Sequence, residues 1–252
     1  MGIITLHDIQ YQVGGQTILQ YLDFELYQGE CFVIMGRSGC GKSTLLRLII
    51  GLIRPTSGWI EIEGVNTNSL SKPEWQKIRY KMGLVFQSSA LFDSLNVFEN
   101  VAFGLRRKQL PEPEIKAQVY KSLSIVGLEE TVATKMPAEL SGGMKKRAAI
   151  ARAIAFEPPI LLYDEPTTGL DPIVANTINE LIRNLQSELR ITSIVVTHDI
   201  MSALKVADRI GFLHEGNLVE IMASSELKNA RHPLLTQFMK DYLSLINEPK
   251  LT

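Results

Sequence analysis

Four stretches of the chain are apolar without alternation: residues 31–35, 82–86, 160–163 and 193–196 are dominated by Val, Ile, Leu, Met and Phe. Strands covered on one face alternate apolar and polar positions, so uninterrupted runs predict a parallel sheet buried on both faces. Helical patterns follow three of these runs, over 42–52, 174–189 and 200–206, which is the α/β order. The first thirty residues and 59–63 differ. Their alternation, with a Gly14-Gly15 turn, predicts an antiparallel β layer. Strand signals vanish between Gln87 and Pro158, and helical ones take over. The expected organisation is a core of residues 1–86 and 158–223, a helical subdomain of 87–157, and a helical tail of 224–252 that frays at its end.

Composition narrows the classes. The 252 residues are 45% hydrophobic with a formal net charge of -1, which gives no basic field for nucleic acid or an anionic membrane. Two cysteines, Cys31 and Cys40, make no disulfide framework and fit a reducing compartment. Residues 1–10 lack the basic and apolar regions of a signal peptide, and Leu6 stands where a myristoylation signal needs Ser or Thr. The most apolar stretch, 45–53, is short for a membrane span and contains Arg47.

Candidate chemistry begins at Gly36-Arg37-Ser38-Gly39-Cys40-Gly41-Lys42-Ser43, which fits the phosphate-loop pattern G-x-x-x-x-G-K-[ST] between a strand and a helix. Phosphate is best held by converging backbone N–H groups, and Gly36, Gly39 and Gly41 let the backbone approach it. The next helix adds its positive N-terminal end. Lys42 is placed for the β- and γ-phosphates, Ser43 for Mg²⁺ and Thr44 for a further phosphate contact. A second feature is the apolar run ending in Asp164-Glu165. A strand fixes such carboxylates at the sheet edge where the phosphate loop lies, so Asp164 suits Mg²⁺ and Glu165 suits an attacking water. A third is Ser141-Gly142-Gly143 before a helical run, either a simple helix N-cap and loop or a second anion cradle. Two cradles in one chain suggest a nucleotide sandwiched between two subunits. Lys145-Lys146-Arg147, next on that helix, is expected to be a solvated or ion-paired face.

With these motifs in this order the chain resembles ABC-type ATPases over essentially its whole length. The resemblance implies a P-loop core with a parallel sheet, an antiparallel β subdomain and a helical signature subdomain. It implies ATP and Mg²⁺ as ligands, and ATP hydrolysis that drives a separate membrane permease from the cytoplasmic side of the inner membrane. By it, 140–144 is the signature, contributed to the ATP of a second copy in a homodimer. Gln87 falls at the family's Q-loop, which touches Mg²⁺ and water. Gly169-Leu170-Asp171 falls at the D-loop and His198 at the switch histidine, while Tyr11 sits where an aromatic ring stacks on adenine. Gln87, Tyr11 and His198 also have plain readings as a loop glutamine, a strand aromatic and a helix cap. Met144 departs from the family's usual glutamine. Residues 90–95 are apolar where the family makes a groove for a permease helix, though core packing explains them equally.

Chromosome-type members insert a long coiled coil before the signature, and ribosome factors usually carry two cassettes; neither is found here. The stretches 140–148 and 164–173 are similar to ATPases of Mce-type lipid-transport systems, which implies a lipid cargo and a lipid-binding partner protein. The alternative is an importer of polar amino acids or other small solutes.

Overall fold

The computed structural model describes residues 2–247 of the 252; the expected fraying at the tail's end falls mainly on residues beyond 247, outside the described ones. Ten strands and eight α-helices are described. In chain order they are β1 (Ile4–Val13), β2 (Gln16–Leu26), β3 (Cys31–Met35), α1 (Lys42–Ile49), β4 (Ser57–Ile62), β5 (Val65–Asn66), α2 (Lys72–Arg79) and β6 (Met82–Val85). There follow α3 (Val97–Arg107), α4 (Glu112–Ile125), α5 (Gly142–Ile154), β7 (Ile160–Asp164), α6 (Pro172–Leu189), β8 (Thr192–Thr197), α7 (Ile200–Val206), β9 (Arg209–His214), β10 (Asn217–Ala223) and α8 (Pro233–Asn247).

The strands form two sheets. One is four-stranded, in the order β2-β1-β4-β5, and its pairs are antiparallel. The other is six-stranded, in the order β10-β9-β3-β8-β7-β6, and all its pairs are parallel except β9 with the edge strand β10. Strand β3 shows why an unbroken apolar run was needed. Cys31, Val33 and Met35 enter the core shared with the helices α3–α7. Phe32 and Ile34 enter the core shared with α1 and the antiparallel sheet. All five residues are fully buried.

Three local features depart from expectation. The first helix ends at Ile49 rather than residue 52, because Gly51 turns left-handed at φ 70° and Leu52 N–H closes back on the Arg47 carbonyl. Helix α2 was not foreseen, although Ser71 and Glu74 form a capping box at its start. The β9–β10 hairpin was also missed; its turn, Glu215-Gly216, has positive φ at both residues.

Candidate functional site

Parallel strands deliver their C-terminal ends to one edge, and four of the five parallel strands build the site there. Met35 of β3 is in register with Thr197 of β8, Asp164 of β7 with Val196, and Val85 of β6 with Tyr163. The residues just past those ends are Gly36, His198, Glu165 and Phe86-Gln87. A cavity of 410 Å³ opens there, lined by Ile18, Ser38, Gly39, Gly41, Lys42, Ser43, Thr44, Gln87, Glu165, Thr168 and His198. Sequence positions more than 150 apart are thus gathered around one cavity.

Its electrostatics centre on a buried pair. Lys42 and Glu165 are 5% and 7% exposed, with Lys42 Nζ 3.3 Å from Glu165 Oε1. Lys42 also donates to the carbonyls of Gly36 and Arg37, at 2.8 and 3.1 Å. The other Glu165 oxygen lies 2.9 Å from His198 Nδ1 and accepts from Thr168 Oγ1 at 3.1 Å. Every carboxylate oxygen therefore has a partner, as a charge in a desolvated site requires. Glu165 itself has a left-handed backbone, φ 46°, and its N–H donates to Val196 O. Beside it Ser43 Oγ donates to Asp164 Oδ1 at 2.8 Å. A hydroxyl and a carboxylate together make the small oxygen donor set that Mg²⁺ takes when phosphates complete its shell.

Several candidates lie outside this cavity's lining. Arg37 points its guanidinium toward α8, 2.6 Å from Asp241, and offers the site only its carbonyl. Cys40 packs into the core beneath the loop, where burial raises its thiol pKa. Tyr11 is half-buried on β1, opposite Leu19, and Ile18 takes the place on the cavity wall. Asp171 caps α6, accepting from Ile173 N and Val174 N. Ser141 caps α5 through Met144 N at 3.3 Å, and Gly143 presses so closely on α6 that a Cβ there would lie 2.5 Å from Val174 Cγ1. Met144 packs, partly buried, against the larger core.

The basic run after Met144 is a correction. Only Lys145 and Arg147 have solvent-side roles to offer; Lys146 is 2% exposed and points inward. Its ammonium donates to the carbonyls of Gln87, at 2.7 Å, and Phe86, at 3.1 Å. Burial lowers Lys146 to about 8, with the Asp164 charge pulling the other way. A run of three cations carries no periodicity that marks which one faces inward, so composition alone suggested a solvated face. Thr168 was also missed, although it lies in the same short loop as Glu165.

Comparison with known proteins supplies the family. Residues 19–168 match the ABC transporter family. The intermembrane phospholipid transport system ATP-binding protein MlaF of Escherichia coli (strain K12) is 40% identical over 239 residues, covering 94% of this chain and 88% of that protein. The methionine import ATP-binding protein MetN of Carboxydothermus hydrogenoformans is 39% identical over 246 residues, covering 96% and 73%. Among solved structures, a dimeric post-hydrolysis state of the ATP-binding cassette MJ0796 bound to ADP and Pi superposes with a TM-score of 0.80. It is 37% identical and covers 88% of this chain and 98% of that one. Alignment and fold extend well past the phosphate loop, through both carboxylate and signature regions. The chain belongs to the ABC transporter family, as an ATP-binding and ATP-hydrolysing subunit.

Proposed function

We propose that this ATPase energises a lipid-transporting membrane permease, with phospholipid as the cargo class. The observation that carries the reading is the 40% identity to MlaF across 94% of the chain. The methionine in the signature, Met144, agrees with it. MetN, at 39% identity, favours a small-solute importer as the second reading. Cargo does not touch this subunit, so the site chemistry is common to both.

In that chemistry the ATP phosphates lie in the nest of residues 36–44. Lys42 leaves Glu165 for the β- and γ-phosphates, which supply a stronger anionic partner. Ser43, Asp164 and Gln87 hold Mg²⁺, whose charge offsets that of the phosphates. Glu165, released from Lys42, orients and deprotonates the attacking water, while His198 and Thr168 hold its second oxygen. Tyr11 stacks on adenine at the edge of the nest. Ser141, Gly142 and Gly143, with Asp171 beside them, serve the ATP of a second copy. The sandwich is supported by the dimeric state of the MJ0796 cassette and by the signature's absence from its own cavity's lining.

No helix among the described residues is long and apolar enough to cross a membrane, so a separate permease would carry the passage, with this chain peripheral on its cytoplasmic side. The permease seat is the groove of 580 Å³ between Arg79, Tyr80, Phe103, Arg107 and Phe156; its lining holds none of residues 90–95, and of these Phe92 meets its wall at Phe103, with ring centroids 4.7 Å apart. A lipid-binding protein would complete the system. In this reading residues 1–86 and 158–223 are the nucleotide core, 87–157 the helical subdomain and 224–252 the tail. The test is ATPase activity of the complex with its permease in liposomes. Stimulation or lipid transfer with phospholipid is expected; stimulation by an amino-acid-binding protein instead moves the chain to the second reading.

A further inference from the structure

Helix α5 starts at the signature, yet its second turn bonds the backbone of Gln87, which lines the protein's own candidate nucleotide cavity. We infer that Lys146 is a positioning residue for catalysis: its buried ammonium fixes the backbone of Gln87, and so the entry of the Gln87 side chain into the cavity. The inference rests on the role of Gln87 proposed above.

The geometry singles out this residue. Gln87 follows the last residues of β6 and has no ladder partner among the described residues; β6 pairing ends at Val85 with Tyr163. Lys146 Nζ supplies the missing fixation through both flanking carbonyls, Phe86 O and Gln87 O. Charge-assisted bonds of this kind are about twice as strong as neutral ones, and stronger still away from water. Burying a lysine is costly unless something needs its charge. Two carbonyl dipoles and the nearby Asp164 carboxylate supply that need. The loop beyond is held from the same helix, because Arg152 donates to Ser89 O and Ala90 O at 3.0 and 2.7 Å. Ser89 and Ala90 are both left-handed, φ 64° and 47°. A backbone in that conformation persists only where its surroundings fix it. Helix α5 thus ties the signature, which faces one nucleotide, to Gln87, which faces the other.

A double-mutant cycle on the full-length chain tests this, using K146M, Q87A and K146M/Q87A with Mg²⁺-ATP. K146M is expected to lower kcat about tenfold or more while KM for ATP moves less than about threefold, because the phosphate nest is untouched. If Lys146 acts through Gln87, the double variant should be no slower than Q87A alone. Unchanged kcat in K146M, or losses that multiply in the double variant, would overturn the role of Lys146 while leaving that of Gln87 standing. Wild-type kcat in Q87A would overturn both. Thermal melting identifies a variant that fails to fold, and K146Q then takes the place of K146M in the same cycle, with the same outcomes decisive.

Discussion

Lys42 and Glu165, both buried, hold each other across 3.3 Å, so the proposed cation for phosphate and the proposed carboxylate for water share one contact. Breaking a buried pair by removing one charge leaves the other uncompensated. ATP is the natural replacement for the lost carboxylate. Glu165→Gln is therefore expected to bind ATP as well as the wild type or better, and to lose turnover by about 10²-fold or more. Nucleotide binding and steady-state ATPase assays check both halves, and near-normal turnover would remove Glu165 from its role.

The same variant reports on assembly. ATP forms part of the interface in the sandwich, so mass action makes the dimer depend on bound nucleotide. Glu165→Gln with Mg²⁺-ATP should elute as a dimer in size-exclusion chromatography and as a monomer without nucleotide. A monomer at saturating ATP and high protein concentration would argue against the sandwich.

Met144 packs against the core and Ser141 caps its helix, which separates their expected effects. Met144→Gln should change ATPase activity by less than about tenfold, or about 1.4 kcal/mol. Ser141→Arg, which puts bulk and positive charge at the helix N-terminus, should abolish it. Equal collapse in both would give the Met144 side chain a direct part in the chemistry.

Close packing makes a stability prediction. An alanine at Gly143 would place its Cβ 2.5 Å from Val174 Cγ1, so the Val174 side chain or the α5–α6 seam must shift. Gly143→Ala should destabilise by about 1–3 kcal/mol, as overpacked cores do. Adding Val174→Ala should recover part of the loss, which denaturant midpoints of the single and double variants will reveal. If the second change only adds to the first, the contact is not the cause.

The sequence made the strands of the parallel sheet legible because burial on both faces removes polar positions entirely, as at 31–35 and 160–163. The gathering of Gly36, Gln87, Glu165 and His198 at one edge followed from parallel pairing. What local patterns did not carry was direction. Arg37 and Lys146 sit in runs rich in charge or glycine, and only the positions of α8 and β6 decide where their side chains go. Helix α2 was different: Ser71-Lys72-Pro73-Glu74 spells its N-terminus, and a short, mostly polar helix hid the signal. Ile18 reaches the cavity wall through the hairpin, which brings it close to Tyr11.

The left-handed backbone of Glu165, at φ 46°, sets durability against activity at a single position. A residue that carries a Cβ pays about 1 kcal/mol to sit there, and Gly or Asn would sit there more comfortably. A search for heat-resistant versions of this enzyme that scored melting temperature alone would drift toward such replacements and collect dead catalysts. Natural selection, which scores transport, has to keep the less comfortable residue and find its stability in the two cores instead.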